Sequence, residues 1–506
     1  AVDGCSISFI EAVYPRADLT DPRTVQEGSK KRLGAPMPAF RGKKRRILRW
    51  VKRVLMREFP LGLTDLDIPT VEEWLAHTNY TEAEKQVIRD AVDIDWDAPK
   101  SESVRHEARV FASFIKAEPY PEFKPARTIQ GLSASMKKFL GPYIHAMEQL
   151  IFKSRFFAKF VPVRDRARWS REIFADFVGY KIAASDFSNF EQSWKTEQME
   201  LFEMPVFEHI LGSCQSFQKF MGVFRAMELC SVTLVFKYLR VIVGAMRKSG
   251  TTNTSLSNGV GNWLIHEVLG HILGLGELVG IFEGDDGLFL YSSGRFPSPK
   301  DYADLGFVVK LEIHEDPSTA SFCGLVYDPI DCINITDPVK VLCNIGWFSH
   351  FYCRARSSKL RGLLRAKAMS LCVQSQDVPI LAEAAQWLLR ATRSVDCRWV
   401  FTSRNTSWWD RQVYSEVKQM KKFVYTPAPP ARTRLLMAEK FGVSVEVQLK
   451  AEEWFRSRDS LERMPYFFDV VHPDHARTAE EFVRQSKVPA LDSYPVFPDL
   501  TWAPAV

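Results

Sequence analysis

The pattern of apolar and polar positions is sharpest between Gly280 and Leu290, where Ile281-Phe282 and Leu288-Phe289-Leu290 flank the acidic turn Gly284-Asp285-Asp286-Gly287. Short apolar runs on either side of a glycine-bearing turn predict a β-hairpin with carboxylates at its tip. Adjacent aspartates repel each other and gain little from folding, whereas a divalent cation needs such hard oxygen donors. A solvated Asp-Gly turn is the competing reading.

Other stretches give clear periods. Arg41 to Leu55 sets Arg41, Lys43, Lys44, Arg45, Arg46, Arg49, Lys52 and Arg53 among Ile47, Leu48, Trp50, Val51 and Leu55. That spacing predicts a basic amphipathic helix, and a solvated face, a nucleic-acid contact and a membrane-surface helix all fit it. Residues 1–40 read as loop-rich, broken by Pro15, Pro22, Pro36 and Pro38. From Thr70 to about His106 the pattern is helical and acidic, with Thr70 and Glu73 spaced as a capping box. A helix is expected from about Met136 to Phe160, and helices again over 192–230.

A small-residue strand ends at Asp186, with Glu191 opening a helix; Asp186 reads as a simple helix cap or as a second strand-end carboxylate. Val232 to Met246 is β-prone. Leu305 to Glu312 reads as a strand with Lys310 at its end, and Phe322 to Tyr327 as a short strand with a central glycine. Asp331 to Arg393 and then 394–475 read as helical, with a break at Pro427 to Pro430, and the Pro- and aromatic-rich tail from Val488 is expected to lie extended on the body.

Composition narrows the class. The chain has 506 residues, 46% hydrophobic and 25% charged, which is room for roughly three domain-sized cores of an ordinary globular protein and excludes a disordered one. A net charge of +6 is mild for this size, so a polyanion partner must be met by local basic concentrations. Nine cysteines without any C-x-x-C pair predict reduced thiols. Cys343, His350 and Cys353 lack an evident fourth ligand, so buried free cysteine is the preferred reading there. The most apolar stretch, Trp263 to Phe282, is interrupted by His266, Glu267, His271 and Glu277, which predicts a buried helix and strand rather than a membrane span. Ala at position 1 fits a processed product, a cleaved polyprotein or a trimmed chain.

Two further segments carry candidate chemistry. Lys116, Lys124 and Arg127 sit on a proline-punctuated extended arm, where long cations can converge on a polyphosphate; a surface strand paired with Glu118 and Glu122 is the alternative. In Ser249-Gly250-Thr251-Thr252-Asn253-Thr254 a flexible loop leads into a helix whose Thr254 and Asn258 share one face.

Taken together, the basic arm, Asp186-x4-Glu191, Ser249-Gly250-x3-Thr254-x3-Asn258, Gly284-Asp285-Asp286, Lys310 and the Phe322-Cys323-Gly324 turn resemble, in order, motifs F, A, B, C, D and E of viral RNA-dependent RNA polymerases. The wording around Lys124-Pro-Ala-Arg127 and Ser249 to Asn258 is most similar to the tombusvirus-like polymerases of positive-strand RNA viruses. The resemblance covers about Lys116 to Tyr327. It implies an α+β right-hand polymerase, with an N-terminal extension and fingers over 1–176, palm over 177–200 and 246–330, a fingers insertion over 201–245, a helical thumb over 331–475 and a tail over 476–506.

The resemblance further implies two Mg²⁺ ions, with Mn²⁺ as a substitute, held by Asp186 and Asp285 with Asp286 in support. It implies Lys116, Lys124 and Arg127 on the triphosphate of an incoming NTP and Lys310 as general acid. Glu191, Ser249, Gly250, Thr254 and Asn258 would meet ribose and template, although the family usually has Asp where Glu191 stands. Partners would be an RNA template and product duplex, NTPs and other viral replication proteins, with any membrane association indirect, at replication complexes in the host cytoplasm. Reverse transcription and a catalytically silent RNA-binding scaffold are the competing functions. Trp408, Trp409 and Tyr414 are expected either to form thumb core or to stack the first nucleotide of primer-independent initiation.

Overall fold

The computed structural model describes residues 21–95, 102–116, 118, 124–348, 354–402, 424–462, 464–465 and 500–504, with isolated pieces at 5–6, 17, 19, 352 and 417. Trp408, Trp409, Tyr414, His350 and Cys353 lie outside the described residues. The chain is mixed α and β, with largely antiparallel sheets.

The four-stranded sheet that organises the site runs Leu278–Glu283, Asp286–Tyr291, Ile182–Phe187, Val309–His314, every neighbour antiparallel. Its hairpin strands are apolar on both faces because both faces are covered. Leu278, Phe282, Phe289 and Tyr291 join the main core, while Val279, Ile281, Leu288 and Leu290 join a second cluster with Ala167, Phe174, Phe322 and Tyr327. The period of two is intact; only the polarity contrast is missing.

The helix Thr254–Leu273 covers the first face. It is buried nearly all round from Leu256 to Gly270, as a helix apolar on every side must be, and it stops at Gly274, whose φ of 61° is the left-handed C-terminal turn that glycine adopts without strain.

The second sheet has the order Leu500–Pro504, Leu239–Val243, Val232–Val235, Val110–Ile115, Thr128–Gly131, with the Val110 and Val232 strands parallel. Its far edge, Val110–Ile115 with Thr128–Gly131, carries the basic arm between its strands, and Lys116 N donates to Arg127 O at 2.8 Å to close the arm's base. The helices Ser357–Gln374, Leu381–Ala391, Ala431–Phe441 and Val445–Arg456 build a separate core around Trp387, Leu388, Met437 and Phe455.

Several expectations change. Residues 1–40 contain a twelve-residue helix, Pro22–Leu33, because Pro22 occupies the first helical turn, where its missing N–H costs nothing, and Asp21 caps it from Oδ1 to Arg23 N at 2.9 Å. The helix expected to reach Phe160 ends at Ile151. The Lys310 strand is Val309–His314, so Lys310 stands near its start; Gly306, at φ 90°, turns the chain before it. Phe322 to Leu325 is a turn with positive φ at Cys323 and Gly324, and only Val326–Tyr327 is strand. Thr70 and Glu73 do form the expected capping box.

Candidate active site

The turn Gly284-Asp285 connects the two hairpin strands, and Gly284 has φ 61°, the first-position geometry of a type II′ turn. Nothing lies where its Cβ would be, so backbone conformation alone explains the glycine. Asn262 Nδ2 donates to Gly284 O at 3.2 Å and to Asp286 O at 3.1 Å, fixing the turn to the helix behind it. Ser185 pairs with Gly287 across the sheet, which brings Asp186, at an exposed strand position, beside the hairpin tip.

Asp186 and Asp285 line one cleft of about 500 Å³ together with Lys124, Arg127, Glu191 and Ser249. These six come from four separate stretches of the sequence. Asp286 does not line the cleft; its carboxyl lies beside the Cys323 thiol, one turn behind. Burial, then the charge of Glu191, pushes Asp285 up to about 6, with nearby Arg127 opposing that rise. Burial and Asp285 push Asp286 up to about 7. Both carboxyls therefore give up their protons less readily than an exposed aspartate.

Among the described residues no three His, Cys, Asp or Glu side chains converge as a ready-made ion cage. Mg²⁺ in phosphoryl-transfer sites is held by one or two carboxylates, with water and substrate phosphates completing the shell. Asp186 and Asp285, hard donors facing a cleft also lined by cations, fit that mode.

The second acid of the Asp186 segment has a defined partner. Asn258 Nδ2 donates to Glu191 Oε1 at 3.2 Å, and Asn258 Oδ1 accepts from Arg247 Nη1 at 2.8 Å. Arg247 is fully buried, ion-paired with Glu203 at 3.0 Å and stacked 3.8 Å from the Trp194 ring. Glu203 closes a single π-helical turn, Met199–Glu203, of a kind that often accompanies functional sites. The chain Glu203, Arg247, Asn258, Glu191 thus runs from the core to the cleft wall.

Ser249 is clamped to the arm's sheet: Gln130 N donates to Ser249 O at 2.6 Å and Ser249 N donates to Gln130 Oε1 at 2.8 Å. Gly250, at φ 103°, leaves no room for a side chain, since a Cβ would stand 2.5 Å from Ile129 Cγ2. Thr254 Oγ1 accepts from Gly250 N at 3.2 Å and donates to Lys248 O at 2.9 Å, so Thr254 holds the loop rather than facing the cleft.

Lys116 and Lys310 also stand apart from the cleft lining. Lys116 pairs with Glu118 at 3.1 Å, and Lys310 with Glu312 at 2.6 Å. Conversely, Lys31 and Arg32 line the cleft from the end of the Pro22–Leu33 helix, Arg32 Nη1 donating to Asn189 Oδ1 at 3.4 Å. The run Lys30-Lys31-Arg32 was the signal for them, hidden by the loop reading of that segment. Asn262 and Gln130 were equally missed, though Asn262 extends the Thr254, Asn258 spacing by one more turn.

No protein-family model matches the chain, and no curated protein matches it.

Proposed function

We propose that the chain is an RNA-dependent RNA polymerase that copies a positive-strand viral RNA genome from NTPs. The observation that carries this reading is the meeting, in one cleft, of Asp186 and Asp285 with Arg127 and with a Glu191 side chain bonded to Asn258. On this reading the Asp186 and Asp285 sheet is the palm, the sheet bearing the basic arm belongs to the fingers, and the helices after residue 331 form the thumb.

Asp186 and Asp285 would hold Mg²⁺, with Mn²⁺ as a substitute and Asp286 supporting the hairpin tip from behind. The chemistry supplied by bound Mg²⁺ is activation of a 3′-oxygen and neutralisation of the leaving pyrophosphate. Lys124 and Arg127 neutralise the triphosphate as charge builds on it. The 3′-hydroxyl would lose its proton to solvent as its oxygen bonds the α-phosphorus, the bond from that phosphorus to pyrophosphate would break, and Lys310, once released from Glu312, would donate a proton to the leaving oxygen. Glu191, which lines the cleft and is held by Asn258, would test the ribose 2′-hydroxyl. The partners are template and product RNA, NTPs and other viral replication proteins, in host-cell replication complexes. No helix among the described residues is long and apolar enough to cross a membrane.

The test is incorporation of labelled ribonucleotides and, separately, deoxyribonucleotides on single-stranded RNA with Mg²⁺, comparing the native chain with Asp285→Ala. Product from ribonucleotides only, abolished by the substitution, is expected. Efficient deoxyribonucleotide use would move the assignment to reverse transcription, and RNA binding without product from either protein would favour a silent scaffold.

A further inference from the structure

The helix Lys44–Glu58 presents two opposed arcs. At about 100° per residue, Arg45, Arg46, Arg49, Lys52 and Arg53 fall within about 120° of the helix circumference, while Ile47, Val51, Val54 and Leu55 fall within about 100° on the opposite side. All four of the latter are 0% exposed and belong to the main core. All five cations are exposed, and none has a carboxylate partner among the described residues. Five like charges on roughly 12 Å of helix repel one another, and no carboxylate among the described residues pairs with them.

The helix is anchored far from the cleft. Trp50 Nε1 donates to Glu267 O at 3.1 Å and Arg57 pairs with Glu267 at 2.8 Å, about 13 Å along the Thr254–Leu273 helix from Asn258. Beside this anchor the Trp50 ring stacks on His271 at 3.8 Å, Arg53 lies over Trp50 at 5.6 Å, and the two rings wall a separate pocket of about 490 Å³.

We infer that this ledge is a second RNA-binding site, outside the catalytic cleft, that grips the phosphate backbone of single-stranded RNA on its cation arc and takes an unstacked base against Trp50 and His271. The choice of RNA rests on the polymerase reading; the choice of a polyanion does not. A membrane surface is a poor fit because an amphipathic helix binds lipid by inserting its apolar face, and here that face is already core. Four of the five cations are arginines, whose planar forks match phosphate oxygens and whose weak hydration favours nucleic acid. An adjoining aromatic wall is what a single strand uses and a duplex does not.

The experiment measures binding of a fluorescent 30-nucleotide single-stranded RNA by the full chain across a salt series. The comparison is with Arg45→Gln/Arg46→Gln/Arg49→Gln/Lys52→Gln/Arg53→Gln and with the matching variant carrying Lys at the four arginines. Every phosphate left without its cation flattens the slope of log affinity against log salt by about 0.7, so in the Gln variant, with five cations removed, the slope should flatten by up to about 3.5 and affinity at 0.1 M salt should fall at least tenfold, the Lys variant changing far less. Crosslinks from 4-thiouridine RNA should map to peptides containing Trp50 or His271, and incorporation on a short primed template should be unchanged in the Gln variant. An unchanged salt slope in the Gln variant, or capture of phosphatidylserine vesicles by the same residues with RNA indifferent to them, overturns the inference. Normal incorporation with an unchanged slope removes the ledge alone; a flattened slope without incorporation by any protein removes the polymerase reading and leaves the ledge.

Discussion

Asp186 and Lys310 stand directly opposite each other on adjacent antiparallel strands, yet the lysine's ammonium is held by Glu312, two residues along its own strand, at 2.6 Å. Opposed positions place both side chains on one face of the sheet, so on the polymerase reading proposed above Lys310 would have to leave Glu312 before it could reach a leaving group beside Asp186. The hydrogen bond and charge of Glu312 hold Lys310 above its ordinary range. A general acid works only while protonated, and activity falls as pH rises through its pKa. Lys310→Ala should lower kcat by about 10²-fold or more, and Glu312→Gln should move the alkaline limb of the pH–rate profile to lower pH. An alkaline limb that stays in place in Glu312→Gln would remove Lys310 from the proton-donor role.

The hairpin tip makes the ion-free protein weaker as pH rises. Asp285, at about 6, and Asp286, at about 7, are raised mainly by burial, so the folded chain binds more protons than the unfolded one across roughly pH 4 to 7. Stability from this pair is present below the unfolded value and lost as pH rises through the folded ones, a tenfold difference in proton affinity between the two states being worth about 1.4 kcal/mol. Glu148, pushed by burial up to about 7, acts in the same sense; His266, pushed by burial down to about 4, acts in the opposite one. The difference between native chain and Asp285→Asn/Asp286→Asn isolates the tip. In melting curves the native Tm should fall from pH 5 to 7.5 relative to the variant, and Mg²⁺ should restore it at pH 7.5 and not at pH 5. An equal Mg²⁺ effect in both proteins would show that the ion binds elsewhere.

The hairpin was legible because its signal is local: apolar runs, a glycine at the turn and two adjacent aspartates within eleven residues. Asp186 and the Ser249 loop were legible as candidates, and the structure brings them to the same cleft. What the sequence hid was pairing. Nothing in the linear order says that Asn258 bonds Glu191, that Gln130 clamps Ser249, or that Lys310 is held by Glu312. Lys31 and Arg32 were hidden for a different reason: prolines read as breakers mask a helix when one of them sits at its first position.

Asn258 has two charged partners, and removing it takes one hydrogen bond from each. Asn258→Ala leaves the buried Arg247 guanidinium without one acceptor and Glu191 without its donor, a loss on the order of 1 to 3 kcal/mol for buried groups. Because Glu191 lines the cleft, its orientation should loosen too. Discrimination of ribo- over deoxyribonucleotides, read as the ratio of kcat/KM values, should fall about tenfold. Glu191→Gln keeps the length and loses the charge, and it should lower the ratio similarly while leaving Tm closer to native. A preserved ratio in both variants would detach this pair from sugar selection.

Arg166 supports the hairpin from the side away from the cleft. Its Nη2 pairs with Glu283 Oε2 at 2.8 Å and donates to Ala158 O at 3.3 Å, and its Nε donates to Val161 O at 3.2 Å. The same segment exchanges backbone bonds with the hairpin through Ala158 N to Phe282 O and Phe282 N to Phe156 O. Arg166→Met removes the cation and leaves Glu283 beside Asp286 uncompensated. Breaking a fully buried pair costs about 3 to 5 kcal/mol, and a quarter-exposed Glu283 brings the expectation to about 2 to 3, a Tm loss of several degrees. Arg166→Met with Glu283→Leu removes both charges and should recover most of that loss, because two apolar groups can fill the site without a stranded ion. If the double variant melts as low as the sum of the single losses, the pair is not what secures the hairpin, and the backbone bonds alone hold Asp285 in place.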